Sequence, residues 1–138
     1  LQRAPSRLTD EGPGTQPVNF PELIQPILDE HCVNCHNEPE SKAEGAPNLN
    51  REPKTRGFYA SYANLLSGGF VCANFKSETR TIPGEFGARA SLMYVEVSDA
   101  ERRRIALWLD TTANFYGVYE KEGCEKEYLG QRALPTLE

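Results

Sequence analysis

Cys32-Val33-Asn34-Cys35-His36 is the stretch of this chain where reactive side chains stand at a spacing with chemical meaning. Two thiols three residues apart on a turn of helix can each form a thioether to a vinyl group of one porphyrin. The imidazole beside the second thiol then lies beneath the iron and offers it a nitrogen. C-x-x-C-H is accordingly the attachment signature of c-type haem. Two other chemistries use similar residues. A structural zinc site could take Cys32, Cys35 and His36, with Cys72 or Cys124 as a fourth ligand. Zinc modules usually supply a second close pair, however, and Cys72 and Cys124 each stand alone. A thioredoxin-like dithiol would need a preceding strand and βαβ patterning, and the sequence has neither.

A haem iron held by His36 has a second axial position to fill. His31 sits next to Cys32 and therefore on the proximal side, where a solvated or hydrogen-bonded role suits it better than ligation. The chain has no third histidine, so a bis-histidine site within it is excluded. Met93 is the single methionine and precedes a C-terminal helix, the order expected of a His/Met site. The apolar run Leu92-Met93-Tyr94-Val95 also fits a core methionine, with Tyr94 or an open position facing the iron instead.

The elements that must position these residues are short. Asn19 can cap a helical stretch with Phe20, Leu23, Ile24, Ile27 and Leu28 on one face. Pro26 should kink that stretch or restart it, and it runs directly into the C-x-x-C-H segment. Residues 37–57 read as a long polar loop, of the kind that wraps ligands. Residues 59–67 read as a short helix ended by Gly68-Gly69, and Phe70 to Gly87 as irregular chain with at most a hairpin. Ser98-Asp99-Ala100-Glu101 forms a capping box for a last helix that buries Ile105, Trp108, Leu109 and Thr112. Arg102, Arg103 and Arg104 belong to its solvated rim, and Leu107 points away toward a second surface or a ligand. The segment from Glu120 to Tyr128 reads as a charged tail.

Composition bounds the function. The 138 residues are 38% hydrophobic and 25% charged, with 11 Gly, 10 Pro and a net charge of -5. That suits one loop-rich domain and argues against a surface built to neutralise nucleic-acid phosphates. Mean hydropathy is -0.58, with no apolar run long enough for a membrane span. The expected fold is mainly α: a small, loop-rich, cytochrome c-like domain around one covalent haem. Residues 1–18 would be a linker or tether and residues 19–138 the haem domain. The chain begins Leu1-Gln2-Arg3, as expected of a mature form or an excised piece of something longer.

Phe20 to Asn37 (FPELIQPILDEHCVNCHN) resembles the haem-attachment segment of small cytochrome c domains of planctomycete proteins. Ile82 to Tyr94 and Val97 to Tyr119 resemble the end of the haem domain of hydrazine synthase alpha-subunit-like proteins. The likeness covers about three quarters of the chain in scattered blocks, and only the C-x-x-C-H is specific by itself. It implies a mostly helical C-terminal module of a larger extracytoplasmic protein, with residues 1–18 as the tether. The chain departs from that pattern after Tyr94, where Val95-Glu96-Val97 follows directly and a longer histidine-bearing segment is missing. The distal ligand therefore does not carry over, and neither does hydrazine synthesis, which needs other domains and another haem.

Together these features lead to an electron-transfer module with one haem c, anchored by Cys32 and Cys35 and ligated by His36 and Met93. Phe20, Leu23, Ile27, Trp108 and Leu109 would form the apolar walls. The alternatives are a catalytic or ligand-sensing haem with an open distal side, or a zinc-stabilised interaction module. The expected compartment is the periplasm or another extracytoplasmic space. There Cys72 and Cys124 would pair as a disulfide closing about 53 residues, worth on the order of 4 kcal/mol, or else stay as two free thiols. The partner would be a redox protein with a basic face or an upstream domain of the same parent chain.

Overall fold

The first helical turns form where the sequence supplies a cap. In the computed structural model, which describes residues 16–37, 46–54, 57–72, 84–93, 97–111 and 113–136, Asn19 precedes α1 (Phe20–Leu23). Its Oδ1 accepts a hydrogen bond from the Glu22 amide at 2.8 Å. The chain restarts as α2 (Gln25–His31) with Pro26 in the first turn, where a missing N–H leaves no bond unmade. The break thus falls at Ile24, just ahead of the proline. Beyond α2 the Cys35 and His36 amides both donate to Cys32 O, at 3.1 and 2.9 Å.

The expected loop over 37–57 includes a strand. β1 (Pro53–Lys54) pairs antiparallel with β2 (Phe58–Tyr59), Pro53 facing Tyr59 and Lys54 facing Phe58. Residues 38–45 and 55–56 of that loop lie outside the described residues, as do most of the tether (1–15) and the middle of the 70–87 stretch. Helix α3 (Ala60–Ser67) follows at once with Tyr59 as its N-cap and Gly68 as its C-cap. Gly69 then turns the chain at φ 74°, a conformation that favours glycine.

Helix α4 (Asp99–Asp110) carries the full capping box. Ser98 Oγ accepts from the Glu101 amide, and Glu101 Oε2 accepts from the Ser98 amide at 2.8 Å. Ile105, Trp108 and Leu109 are buried, and Arg102, Arg103 and Arg104 are exposed as the helical spacing requires. Thr112 lies outside the described residues. The charged tail is itself a helix, α5 (Lys121–Tyr128), so α4 is not the last.

Aromatic rings fill the centre. Phe20 packs against Tyr62, Trp108 and Phe115 with centroids 5.2, 5.2 and 5.9 Å away. Two rings end in polar groups, and both are satisfied: Tyr62 OH donates to Ala113 O at 3.0 Å and Trp108 Nε1 to Asn114 O at 2.8 Å. Burial pushes the Tyr62 hydroxyl up to about 12. The described residues thus form a small, mainly α, loop-rich domain, and none of its helices is long and apolar enough to cross a membrane.

The capping box makes α4 sensitive to acid. Hydrogen bonds from Ser98, first from its side chain and then its backbone, lower the Glu101 carboxyl to about 2, with His31 adding to them. A carboxylate whose folded value is depressed contributes stability above its unfolded value and loses it as pH falls through the folded one. Glu101→Ala should therefore melt below the parent at pH 7. The gap should narrow between the ordinary carboxylate range and about pH 2, as followed by circular dichroism. A gap that does not change with pH would remove the charge from this role.

Candidate functional site

An apolar cleft of about 600 Å³, counted out to its mouth, opens beside the C-x-x-C-H segment. One wall is α2, through Ile27 and Leu28, continuing into Cys32. Leu65 of α3, Phe70 just after it, and Ile105 of α4 also line it. His36 and Pro47 form one edge, and Leu92, Met93 and Val97 form another. Cys32, His36 and Met93, far apart in sequence, thus line the same space. Its enclosed part is about 130 Å³, and the rest of the space is open to solvent.

The His36 ring is oriented by its own backbone surroundings. Its Nδ1 lies 3.2 Å from Pro47 O, and the Leu49 amide donates to His36 O at 2.8 Å. A carbonyl can only accept, so Nδ1 carries the proton and Nε2 keeps a free lone pair. Metal-bound histidines are commonly fixed in this way. Cys32 is half-buried. Burial, followed by the neighbouring Cys35, raises its thiol above the ordinary value. Cys35 is exposed, as one of two thiols reaching the rim of a flat group would be. Met93 is 6% exposed, whereas its neighbour Leu92 is 72% exposed at the mouth. Tyr94, the other distal candidate, lies outside the described residues.

No family model, curated protein or solved structure matches this chain. What the site can hold is therefore judged on its chemistry. Cys32 lines the cleft and Cys35, three residues on, is exposed outside its lining. An apolar slot with the Cys32 thiol, the His36 imidazole and Met93 along it is compatible with a c-type haem. It fits zinc less well. Among the described residues, the three-donor cluster that converges is Glu30, His31 and Glu101, within 4.8 Å of one another. In that cluster the Glu101 carboxylate is already committed. Glu101 Oε1 lies 3.0 Å from His31 Nε2, and Oε2 is taken by the Ser98 amide and hydroxyl. His31 thus has the hydrogen-bonded role expected of it, tying the end of α2 to the start of α4.

Several expectations need correction. Of the residues assigned to the walls, Ile27 lines the cleft, whereas Phe20, Leu23, Trp108 and Leu109 belong to the core behind it. The reason lies in α4, which turns Ile105 toward the cleft and Trp108 toward Phe20 of α1. Leu107 is 49% exposed, turned away from Trp108 as expected, and is not among the residues that line the cleft. Cys72 and Cys124 are free. Each thiol donates to a different backbone carbonyl, Cys72 Sγ to Ala90 O at 3.3 Å and Cys124 Sγ to Val118 O at 3.2 Å. Burial, then Glu127 and Glu120, raises the Cys124 thiol, which makes it a poor nucleophile. Sequence reasoning missed Pro47, Leu65, Phe70 and Val97. The one usable signal was for Pro47, in a loop long enough to wrap a ligand.

Proposed function

We propose that this chain is an electron-transfer domain. Cys32 and Cys35 would hold one haem c through thioethers, and His36 and Met93 would offer their nitrogen and sulfur to its iron. The convergence of Cys32, His36 and Met93 on one apolar cleft carries this proposal. When bound, the haem would supply a one-electron ferric/ferrous couple. The chain's own residues set the conditions for that couple. Pro47 O holds the Nδ1 proton of His36, which fixes the tautomer, aims Nε2 and makes it a better donor. Ile27, Leu28, Leu65 and Ile105 exclude water and disfavour the extra charge of the ferric state. A methionine sulfur as ligand would add to this preference for ferrous iron, and both effects would raise the potential.

Attachment needs reduced thiols, which fits delivery of the chain to an extracytoplasmic space where haem is added after export. The net charge of -5 suits a partner with a basic face, or an upstream domain of the same parent chain. The test is a visible spectrum of protein expressed with cytochrome c maturation machinery, oxidised and then reduced. The expected result is a sharp α band that survives acid-acetone extraction, with a weak far-red ferric band from sulfur ligation. A colourless protein from a competent host would overturn the proposal, and zinc in the same sample would replace it with an interaction module. A covalent haem whose ferrous form binds carbon monoxide freely would point to an open distal side and a sensing or catalytic role.

A further inference from the structure

Met93 reaches the cleft at the end of residues 84–93, a segment with no helix or strand of its own. Something other than regular structure must fix how far it extends. Residues 87–91 are closed into a turn, the Ala90 and Ser91 amides both donating to Gly87 O at 3.2 Å. The Ser91 hydroxyl adds a bond to the same carbonyl at 2.8 Å and accepts one from the Cys72 amide at 3.0 Å. The turn is thus a single piece. Leu92 N, donating to Phe70 O at 2.9 Å, sets the line along which the chain passes.

One side chain fastens this piece to a helix. Asp110 Oδ1 accepts from the Ala88 amide at 2.8 Å. Asp110 is the last residue of α4, where a helix exposes its carbonyls and a negative charge is disfavoured. A carboxylate kept at the wrong end of a helix needs another reason to be there. Gly87 supplies an independent one: it sits at φ 70°, and a Cβ on it would collide with Asp110 Oδ1. The backbone is therefore pressed against the carboxylate at the one residue type that allows it. The same helix contributes Ile105 to the cleft.

On the reading of Met93 as an iron ligand, we propose that Asp110 is the positioning residue for that ligand. By holding Ala88 to the end of α4 it sets the register of residues 88–93, and so the depth at which the Met93 sulfur enters the cleft.

The test uses the haem-loaded protein with Asp110→Ala, Asp110→Asn and Gly87→Ala. Asparagine keeps an acceptor oxygen at the same position, and alanine removes it. The readouts are the far-red ferric band and the carbon monoxide affinity of the ferrous form. Asp110→Ala and Gly87→Ala should weaken the band and raise the affinity roughly tenfold, as the open state gains population. Asp110→Asn should restore both to within about twofold of the parent. Band and affinity unchanged in Asp110→Ala, with only a lower melting temperature, would overturn the proposal and leave a structural bond. Equal damage from Ala and Asn would overturn it in favour of the charge itself. A parent protein that holds haem but lacks the far-red band would fail the Met93 reading first, and the Asp110 role with it.

Discussion

Met93→Ala and Met93→Leu should both bind carbon monoxide far more tightly than the parent once the iron is reduced. Under the proposed ligation, an external ligand would have to compete with the Met93 sulfur and so would meet only the open fraction of molecules. Minor states of that kind are about 0.1–10% populated, and apparent affinity scales with the competent fraction. Removing the sulfur should therefore raise affinity by about tenfold to a thousandfold, lower the potential and abolish the far-red band. The pair of variants separates ligation from packing. Met93 is 6% exposed, so truncation to Ala costs about 2–5 kcal/mol whatever its role, while Leu keeps the volume and costs less than about 1.5 kcal/mol. A core methionine would give an unstable Ala variant, a stable Leu variant and an unaltered spectrum in both. An iron ligand gives a stable Leu variant that has nevertheless lost the band and gained carbon monoxide.

The candidate donors are the part most legible in the sequence, because Cys32, Cys35 and His36 fall within one short stretch whose spacing matches a c-type haem attachment signature. Met93 is a candidate by elimination and by its place ahead of α4: the chain has one methionine and no third histidine. The walls were not readable. Helical spacing shows that Ile105, Trp108 and Leu109 are buried, but not which neighbour each one meets. In the folded chain Ile105 meets the cleft and Trp108 meets Phe20. Pro47 and Asp110 act through single hydrogen bonds to a histidine and an amide far away in sequence, and no periodicity encodes such a bond.

Local signals defined the helices wherever caps exist. Asn19, Gly68 and Ser98 mark ends that the structure keeps to within a residue. Helix α5 has no side-chain cap, carries a glycine in its interior and buries one residue, Glu127. By propensity it should be tail, since glycine costs about 1 kcal/mol in a helix interior. The fold needs that glycine, because a Cβ at Gly123 would collide with the Val118 side chain. The expected Cys72–Cys124 disulfide rested on counting thiols. Counting says nothing of position, and each thiol faces its own carbonyl near Ala90 or Val118.

Glu127→Ala should be strongly destabilising although it lies outside the cleft. The side chain is fully buried, and its two oxygens serve three donors from two other parts of the chain. Oε1 accepts from Asn19 Nδ2 at 2.9 Å, and Oε2 accepts from the Gly117 and Val118 amides at 2.8 and 3.4 Å. Asn19 is also the cap of α1, so the carboxylate joins α5 to the entry of the first helix and to the loop after α4. Hydrogen bonds to charged groups contribute about 1.5–3 kcal/mol each, and stranding a buried donor costs about 1–3 kcal/mol. The bonds share one carboxylate and will not add fully, so a loss of about 3–5 kcal/mol is expected, enough to lower the melting temperature by on the order of 10 °C or more. Urea unfolding followed by Trp108 fluorescence measures it. Glu127→Gln should fall between, because whichever way its amide turns, an NH₂ faces a donor. Glu127 takes no part in the cleft, so the haem-loaded variant should keep the parent's spectrum and carbon monoxide affinity while unfolding earlier. A loss below about 1 kcal/mol would mean that α5 opens to let water replace the carboxylate, making it a flap on the domain and not part of its frame.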